Sequence, residues 1–175
     1  MKLWSGVLSP FSAKVRIALA EKKLGYETLV VPWSRKTLWG PKPPLLPAGP
    51  EARADCRQLE DEADFAMMQE VVPLIQELFT KTEDTTRDMA RVATASEALR
   101  RRYDALEKQL TGREYLCGIF SVADIATFML VGFASTFGVA PSDGHRSLRA
   151  WVDRVRARPT VAREFEAMTR AAAAV

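Results

Sequence analysis

The sequence predicts an α+β fold that is mostly α, with one βαβ unit at the start and only helices after it. Strand, helix and strand signals follow one another within residues 2–31, and apolar residues recur at helical spacing after residue 50. Between these regions, residues 32–50 hold six of the ten prolines, which excludes a regular helix or a central strand. We therefore predict a linker and a domain boundary near residue 47, with domains at 1–46 and 47–175.

The βαβ unit is predicted from its local signals. Residues 2–5, KLWS, predict a first strand, and residues 26–31, YETLVV, predict a second because they are rich in β-branched and aromatic types. Residues 10–23 predict the helix between them, with Pro10 at the first helical position, where its missing N–H costs nothing. The two strands should be parallel and joined by a right-handed crossover.

Ser9 has two interpretations at the start of that helix. Serine is a favoured N-cap, so the residue types alone favour a structural role. A hydroxyl at a helix N-terminus is also well placed to contact a substrate anion, because exposed amides and the helix dipole favour negative charge there. Ser12 is a weaker candidate because it falls inside the first turn. Lys14 and Arg16 are expected to be solvated helix charges.

The rest of the chain predicts five helices. Phe65, Met68, Val72, Ile75 and Phe79 step by threes and fours, which predicts one long helix with these residues on its buried face. The third helix is apolar on all sides and should form the centre of the bundle. The predicted helices are residues 51–79 with a kink at Pro73, 87–110, 121–137, a fourth around Trp151 that ends at Pro159, and a fifth that begins there.

The segment FSVADIA, residues 120–126, is the sharpest local signal. Ser121 and Asp124 are spaced as a capping box, in which each side chain bonds the other residue's amide. Phe120 and Ile125 occupy the two positions of a hydrophobic staple. The motif predicts the start of a core helix and assigns Asp124 no chemistry.

Composition favours a cytoplasmic protein without membrane or nucleic-acid partners. The chain has 175 residues, a net charge of +3 and no apolar run that approaches the roughly 20 residues of a membrane span. Its N-terminus carries no secretory signal pattern. The basic run LRRRY, residues 99–103, is typical of a solvated helix face, and a nucleic-acid patch is the second interpretation.

The metal-ligating residue types form no pattern. Cys56 and Cys117 lie far apart in the sequence and are expected to be free thiols in a reducing cytosol. His145 is the only histidine and follows the turn signal at Asp143 and Gly144, so we expect a loop residue. No metal site is predicted.

Three segments, in this order, resemble the serine-type classes of the cytosolic glutathione transferases. SPFSAKVRIALAEKKLGYE is similar to their first βαβ motif, and PPLLPAGPEARADCRQLEDEAD to their interdomain linker and first long helix. YLCGIFSVADIATF is similar to their capping-box segment. The resemblance covers nearly the whole chain. It implies an incomplete thioredoxin-like βαβ unit followed by the all-helical C-terminal bundle of that family, usually as a homodimer.

The resemblance also implies an activity, in which the thiolate of glutathione, the co-substrate, attacks a small apolar electrophile. In serine-type members the serine at the place of Ser9 donates a hydrogen bond to the glutathione sulfur, which implies that Ser9 is catalytic. The first long helix flanks the electrophile site in this family, so Phe65 and Met68 are candidate substrate contacts. The alternative is that both belong to the core.

The sequence departs from the family pattern after the second strand. Family members continue with a helix, a hairpin and a third helix, which carry a Val-Pro pair with a cis proline and a Glu-Ser or Asp-Ser pair that hold glutathione. Neither pair is found here. The alternative function is therefore a non-catalytic binding or scaffold protein of the same ancestry that has lost glutathione binding.

Three explanations fit the shortened segment. The first is a natural deletion, with the βαβ unit packed on the bundle. The second is pairing of the exposed sheet edge across a dimer, since a bare edge can pair with another chain. The third is that chain is missing from the sequence somewhere within residues 40–46.

Overall fold

A computed structural model describes residues 2–6, 9–30, 45–81 and 87–173 of the chain. Most of the predicted linker lies outside these ranges, and so do residues 40–44 of the segment 40–46, for which missing chain is one explanation. The domain boundary near residue 47 and the three explanations of the shortened segment therefore stay predictions.

The N-terminal part is the predicted βαβ unit. Strand β1 (Lys2–Ser5) and strand β2 (Glu27–Val30) are parallel, with Lys2 opposite Glu27 and Ser5 opposite Val30. Within the described ranges the sheet has these two strands alone. Helix α1 (Pro10–Glu21) connects them and buries Ala13 and Ile17 completely. The predicted fold class is confirmed for this unit and for the helices that follow.

The predicted long helix has the expected extent but is not uniform. Helix α2 (Pro50–Asp61) passes through a first π-helical segment (Glu62–Met67) into α3 (Met68–Leu74), which a second π-helical segment (Ile75–Thr80) continues. Pro73 lies inside α3 without ending it. The remaining helices are α4 (Met89–Leu110), α5 (Val122–Thr136), α6 (Arg146–Arg156) and α7 (Pro159–Ala173).

The predicted buried face of the long helix is wrong. The residues that are buried there are Ala63, Met67, Val71 and Leu74, whereas Phe65 is 66% exposed. Met68 is only partly buried at the edge of the core. The buried residues from Ala63 to Leu74 also step by fours and threes, which is the spacing of a regular helix. The spacing of apolar residues therefore fits both faces and does not by itself select the buried one.

Helix α5 is the centre of the bundle, as predicted. All twelve residues from 123 to 134 are buried, and α1, α2, α6 and α7 all pack against it. Gly132 allows α7 to come close, because a Cβ atom at this position would lie 2.5 Å from the Phe165 ring. Trp151 of α6 is fully buried beside α5, as expected.

Across the described residues, no helix combines the length and apolarity that a bilayer crossing requires. The same part of the chain holds no group of three or more metal-ligating side chains.

Candidate active site

Ser9 lies at the N-cap of α1. Its backbone is extended, with φ −86° and ψ 117°, and its hydroxyl oxygen accepts a hydrogen bond from the Ser12 amide at 3.3 Å. The Ser9 side chain is therefore a helix cap, which agrees with one of its two interpretations. The residue is only 3% exposed, so the cap lies under other parts of the chain.

The turn between β1 and α1 is organised around Gly6. Its amide donates to the Ser12 hydroxyl at 3.2 Å, and its carbonyl accepts from the Ser9 amide at 3.2 Å. Ser12 is buried, and its hydroxyl serves this turn. The two serines thus hold the turn from both sides.

Arg16 is a buried residue of this site, and its prediction as a solvated charge was wrong. It is 7% exposed, and its Nε atom donates to Glu164 of α7 at 2.5 Å. Its Nη1 atom bonds the Ser5 hydroxyl and donates to the Gly6 carbonyl at 3.3 Å. No spacing pattern in the sequence points to this pairing, because Glu164 lies 148 residues away.

Lys14 was also wrongly expected to be solvated. Its ammonium group donates to Glu60 of α2 at 2.7 Å and to Asp64 of the first π-helical segment. Burial disfavours the charged lysine, but the two carboxylates outweigh burial and hold the pKa of Lys14 above its ordinary value. Lys14 and Arg16 thus join α1 to two different parts of the helical region.

The two candidate substrate residues have different surroundings. Phe65 is exposed on the outer side of the long helix, so the alternative of a core role was wrong for it. It lines a shallow depression with Ala54, Arg57, Gln58, Asp61, Glu62 and Ala66. Met68 packs against the core from a partly buried position. Neither residue lines a described pocket together with Ser9.

The predicted capping box is present at the start of α5. The Ser121 amide donates to the Asp124 carboxylate at 2.9 Å, and the Ser121 hydroxyl donates to the same oxygen at 2.8 Å. The other Asp124 oxygen accepts from the Leu116 amide at 2.9 Å and from Trp151 Nε1 at 2.8 Å. Burial raises the pKa of Asp124, and these four bonds partly offset that effect.

The two cysteines are free thiols, as expected, but they are neighbours in space. The Cys117 thiol is close enough to Cys56 and Ser121 for both to influence its pKa, where α2 meets the loop before α5. Burial raises the pKa of Cys117 to about 12. The thiol is therefore protonated near neutral pH and is a poor nucleophile.

His145 is a buried residue and not simply a loop residue. It occupies the N-cap position of α6, and its Nε2 atom lies 2.9 Å from the carboxylate of Asp104 on α4. Its Nδ1 atom accepts from the Ser142 amide at 3.0 Å. These contacts attach the loop before α6 to α4.

The comparisons with known proteins agree on one family. Residues 63–159 match the family model described as the glutathione S-transferase, C-terminal domain, and this range is more than half of the chain. A comparison with curated protein sequences finds no match.

Solved structures with a similar fold cover most of this chain. Ure2p5 from Phanerochaete chrysosporium is 16% identical, with a TM-score of 0.82 over 98% of this chain and 96% of that chain. A glutathione S-transferase from Rhodospirillum rubrum F11 is 23% identical, with a TM-score of 0.79 over 91% of this chain and 89% of its own.

The third structure has a higher sequence identity. A glutathione S-transferase from Methylobacterium radiotolerans is 26% identical, with a TM-score of 0.73 over 94% of this chain and 93% of its own. The family match through the bundle agrees with the βαβ unit and with the capping box at the start of α5. The chain therefore belongs to the cytosolic glutathione transferase family.

Proposed function

We propose that the chain binds glutathione with its thiol at the N-terminus of α1 and transfers it to small apolar electrophiles. The position of Ser9 carries the proposal, because its hydroxyl lies where the amides and the dipole of α1 favour an anion. A serine hydroxyl can accept a bond from an amide while it donates its own proton. Donation to the glutathione sulfur would lower the thiol pKa and increase the fraction of thiolate.

Similar structures support the choice of ligand. The enzyme from Methylobacterium radiotolerans was crystallised with glutathione sulfonate, and Ure2p5 with 1-(S-glutathionyl)-2,4-dinitrobenzene. The theta-class enzyme from Xanthomonas axonopodis pv. citri was crystallised with glutathione bound. We infer a similar reaction here, in which the thiolate forms a C–S bond to an electrophilic carbon and a leaving group such as halide departs.

The electrophile contacts belong to the same proposal. Phe65 offers an exposed apolar ring next to Asp64, which bonds Lys14 of α1. Met68 is an adaptable side chain one helical turn further along, although its packing against the core supports this role less strongly.

The remaining features of the proposal concern the whole protein. We propose a glutathione-binding unit at residues 1–46 and a helical domain at 47–175, in a cytoplasmic homodimer. The two free cysteines fit a reducing compartment.

A specific observation favours a second function. Ser9 is 3% exposed, and the sequence lacks the residue pairs that hold the rest of glutathione in the family. Both facts fit a non-catalytic binding protein of the same ancestry, in which Ser9 serves only as a helix cap.

Titration with glutathione by calorimetry distinguishes the two functions. The proposal predicts binding at millimolar glutathione and conjugation of a 1-halo-2,4-dinitrobenzene. It also predicts that Ser9→Ala raises the pKa of the bound thiol by about one unit, which corresponds to a tenfold change in the thiolate equilibrium.

Ser96→Ala is the matched control, because Ser96 is a buried serine of α4 that bonds Val92. This variant should leave the thiol pKa unchanged. Undetectable binding by the wild-type chain would rule out the enzyme. Binding with an unchanged thiol pKa in Ser9→Ala would leave Ser9 as a cap only.

A further inference from the structure

Arg16 connects the helical bundle to the turn that carries Ser9. The guanidinium lies between Glu164 of α7 on one side and Ser5 and Gly6 on the other. Both partners of the ion pair are buried, with 7% of each residue exposed. A buried, charge-assisted pair has a fixed geometry, because each side chain loses much if the other moves.

The bonds of Gly6 transmit that geometry to Ser9. The Gly6 carbonyl accepts from Arg16 and also from the Ser9 amide. The Gly6 amide donates to the Ser12 hydroxyl, and the Ser12 amide in turn donates to the Ser9 hydroxyl. A shift of Gly6 would therefore change both the backbone and the side-chain bonds of Ser9.

We propose that Arg16, held by Glu164, is a positioning residue that sets the orientation of the Ser9 hydroxyl toward the glutathione sulfur. The inference rests on the proposed function for its chemistry and on the bonds of residues 5–16 for its geometry. Arg16 itself does not contact the sulfur in this scheme. The helical bundle would then influence the pKa of the bound thiol through the ion pair between Arg16 of α1 and Glu164 of α7.

The chain provides a matched control at the other end of α1. Glu21 pairs with Arg158 at 2.6 Å, so it is also an ion pair between α1 and the helical region. Glu21 lies at the last residue of α1, far from the turn that holds Ser9. If the Arg16 pair served only to fasten the two parts together, the loss of either pair should have similar effects.

Other charges near Arg16 do not complicate the comparison. Tyr26, just before β2, is within electrostatic range of Arg16 and Glu164, and also of Arg163 on α7. Burial raises the pKa of the Tyr26 phenol above its ordinary value of 10.0, so Tyr26 stays neutral when the thiol titrates.

The first measurement uses the bound thiol. Absorbance of the thiolate against pH should give a thiol pKa about one unit higher in Arg16→Met than in the wild type, and kcat should fall about tenfold below that pKa while KM for the electrophile changes less than twofold. Glu164→Gln should shift the thiol pKa in the same direction. Arg16→Lys should recover part of the effect, and Glu21→Gln should change neither quantity.

The second measurement needs no ligand. Amide hydrogen exchange by NMR should be at least about tenfold faster at Gly6, Ser9 and Ser12 in Arg16→Met than in Glu21→Gln. If Arg16→Met does not fold, Glu164→Gln and Arg16→Lys provide the same comparison from either side of the pair.

The two measurements distinguish a failure of the inference about Arg16 from a failure of the proposed function. A thiol pKa that responds to Ser9→Ala but not to Arg16→Met or Glu164→Gln overturns this inference and leaves the proposed function standing. If the wild type binds no glutathione, the proposed function fails. The exchange rates alone then decide whether Arg16 holds the turn that carries Ser9. Equal exchange at the three amides in the Arg16 and Glu21 variants then overturns it.

Discussion

At the scale of single residues, Asp124 shows what a local motif predicts and what it leaves out. Its spacing from Ser121 is three residues, so the sequence alone predicts the capping box. Its bonds to the Leu116 amide and Trp151 Nε1 depend on how the loop and α6 fold back onto α5. No sequence spacing reveals those partners. The motif therefore does more than start a helix, because Asp124 joins α5 to the loop before it and to α6.

Asp124→Asn should destabilise the chain strongly. The substitution replaces an acceptor oxygen by an amide that donates, and it leaves buried donors without a partner. We expect the free energy of unfolding in urea to fall by on the order of 3 kcal/mol. Asp143→Asn is the control, since Asp143 is 99% exposed and pairs with the exposed Arg149. A loss below about 1 kcal/mol in Asp124→Asn would contradict this account.

At the scale of elements, the sequence predicts the extent of the long helix better than its orientation. Its ends at residues 50 and 80 lie within one residue of the prediction. The buried face was wrong because the buried residues from Ala63 to Leu74 also recur every three or four residues, so the spacing fits more than one face of the helix. Phe65 lies on a neighbouring face and is exposed. The structure therefore does not support the alternative that placed Phe65 in the core.

Glu77 connects the end of this long helix to the start of α4, which gives a pH prediction. Its carboxylate accepts from Lys81, from the Asp88 amide at 2.9 Å and from Arg91 at 3.2 Å. The Lys81 hydrogen bond and the Asp88 amide lower the pKa of Glu77 from 4.5 to about 2. Because the folded pKa is depressed, this contribution to stability is present above pH 4.5 and is lost as the pH falls toward 2.

The wild type should therefore unfold at a higher temperature than Glu77→Gln near pH 6, and the difference should shrink steadily between pH 4.5 and 2. Thermal unfolding followed by circular dichroism at a series of pH values measures it. Glu97→Gln, on the exposed side of α4, should show no such trend. A difference between wild type and Glu77→Gln that is constant with pH would refute the assignment.

At the scale of the whole molecule, α1 belongs to the bundle as much as to the sheet. It packs on α5 and α7 and forms ion pairs with α2, with α7 and with Arg158. The sequence predicts the βαβ unit and the bundle separately because each has its own periodicity. It does not predict their contacts, since the charged partners are 46 to 148 residues apart.

This packing predicts that the βαβ unit and the bundle unfold together. Ile17 is fully buried, so Ile17→Ala should lower the free energy of unfolding by about 2–5 kcal/mol. Tryptophan fluorescence and circular dichroism should give one coincident urea transition, shifted as a whole to a lower urea concentration. Ile119→Ala, at an isoleucine that is 43% exposed, should shift it by less than about 0.5 kcal/mol. Two separate transitions would show that α1 unfolds independently.

The start of α6 has a consequence for how the protein can be divided. The amides of its second and third residues, Ser147 and Leu148, donate to the carboxylate of Glu107 on α4 at 3.0 and 2.8 Å, and the side chain at its own N-cap bonds neither. The carboxylate that caps the start of α6 therefore lies about forty residues upstream, on α4. A fragment that starts after α4 would carry every residue of α6 and still lack the group that starts it.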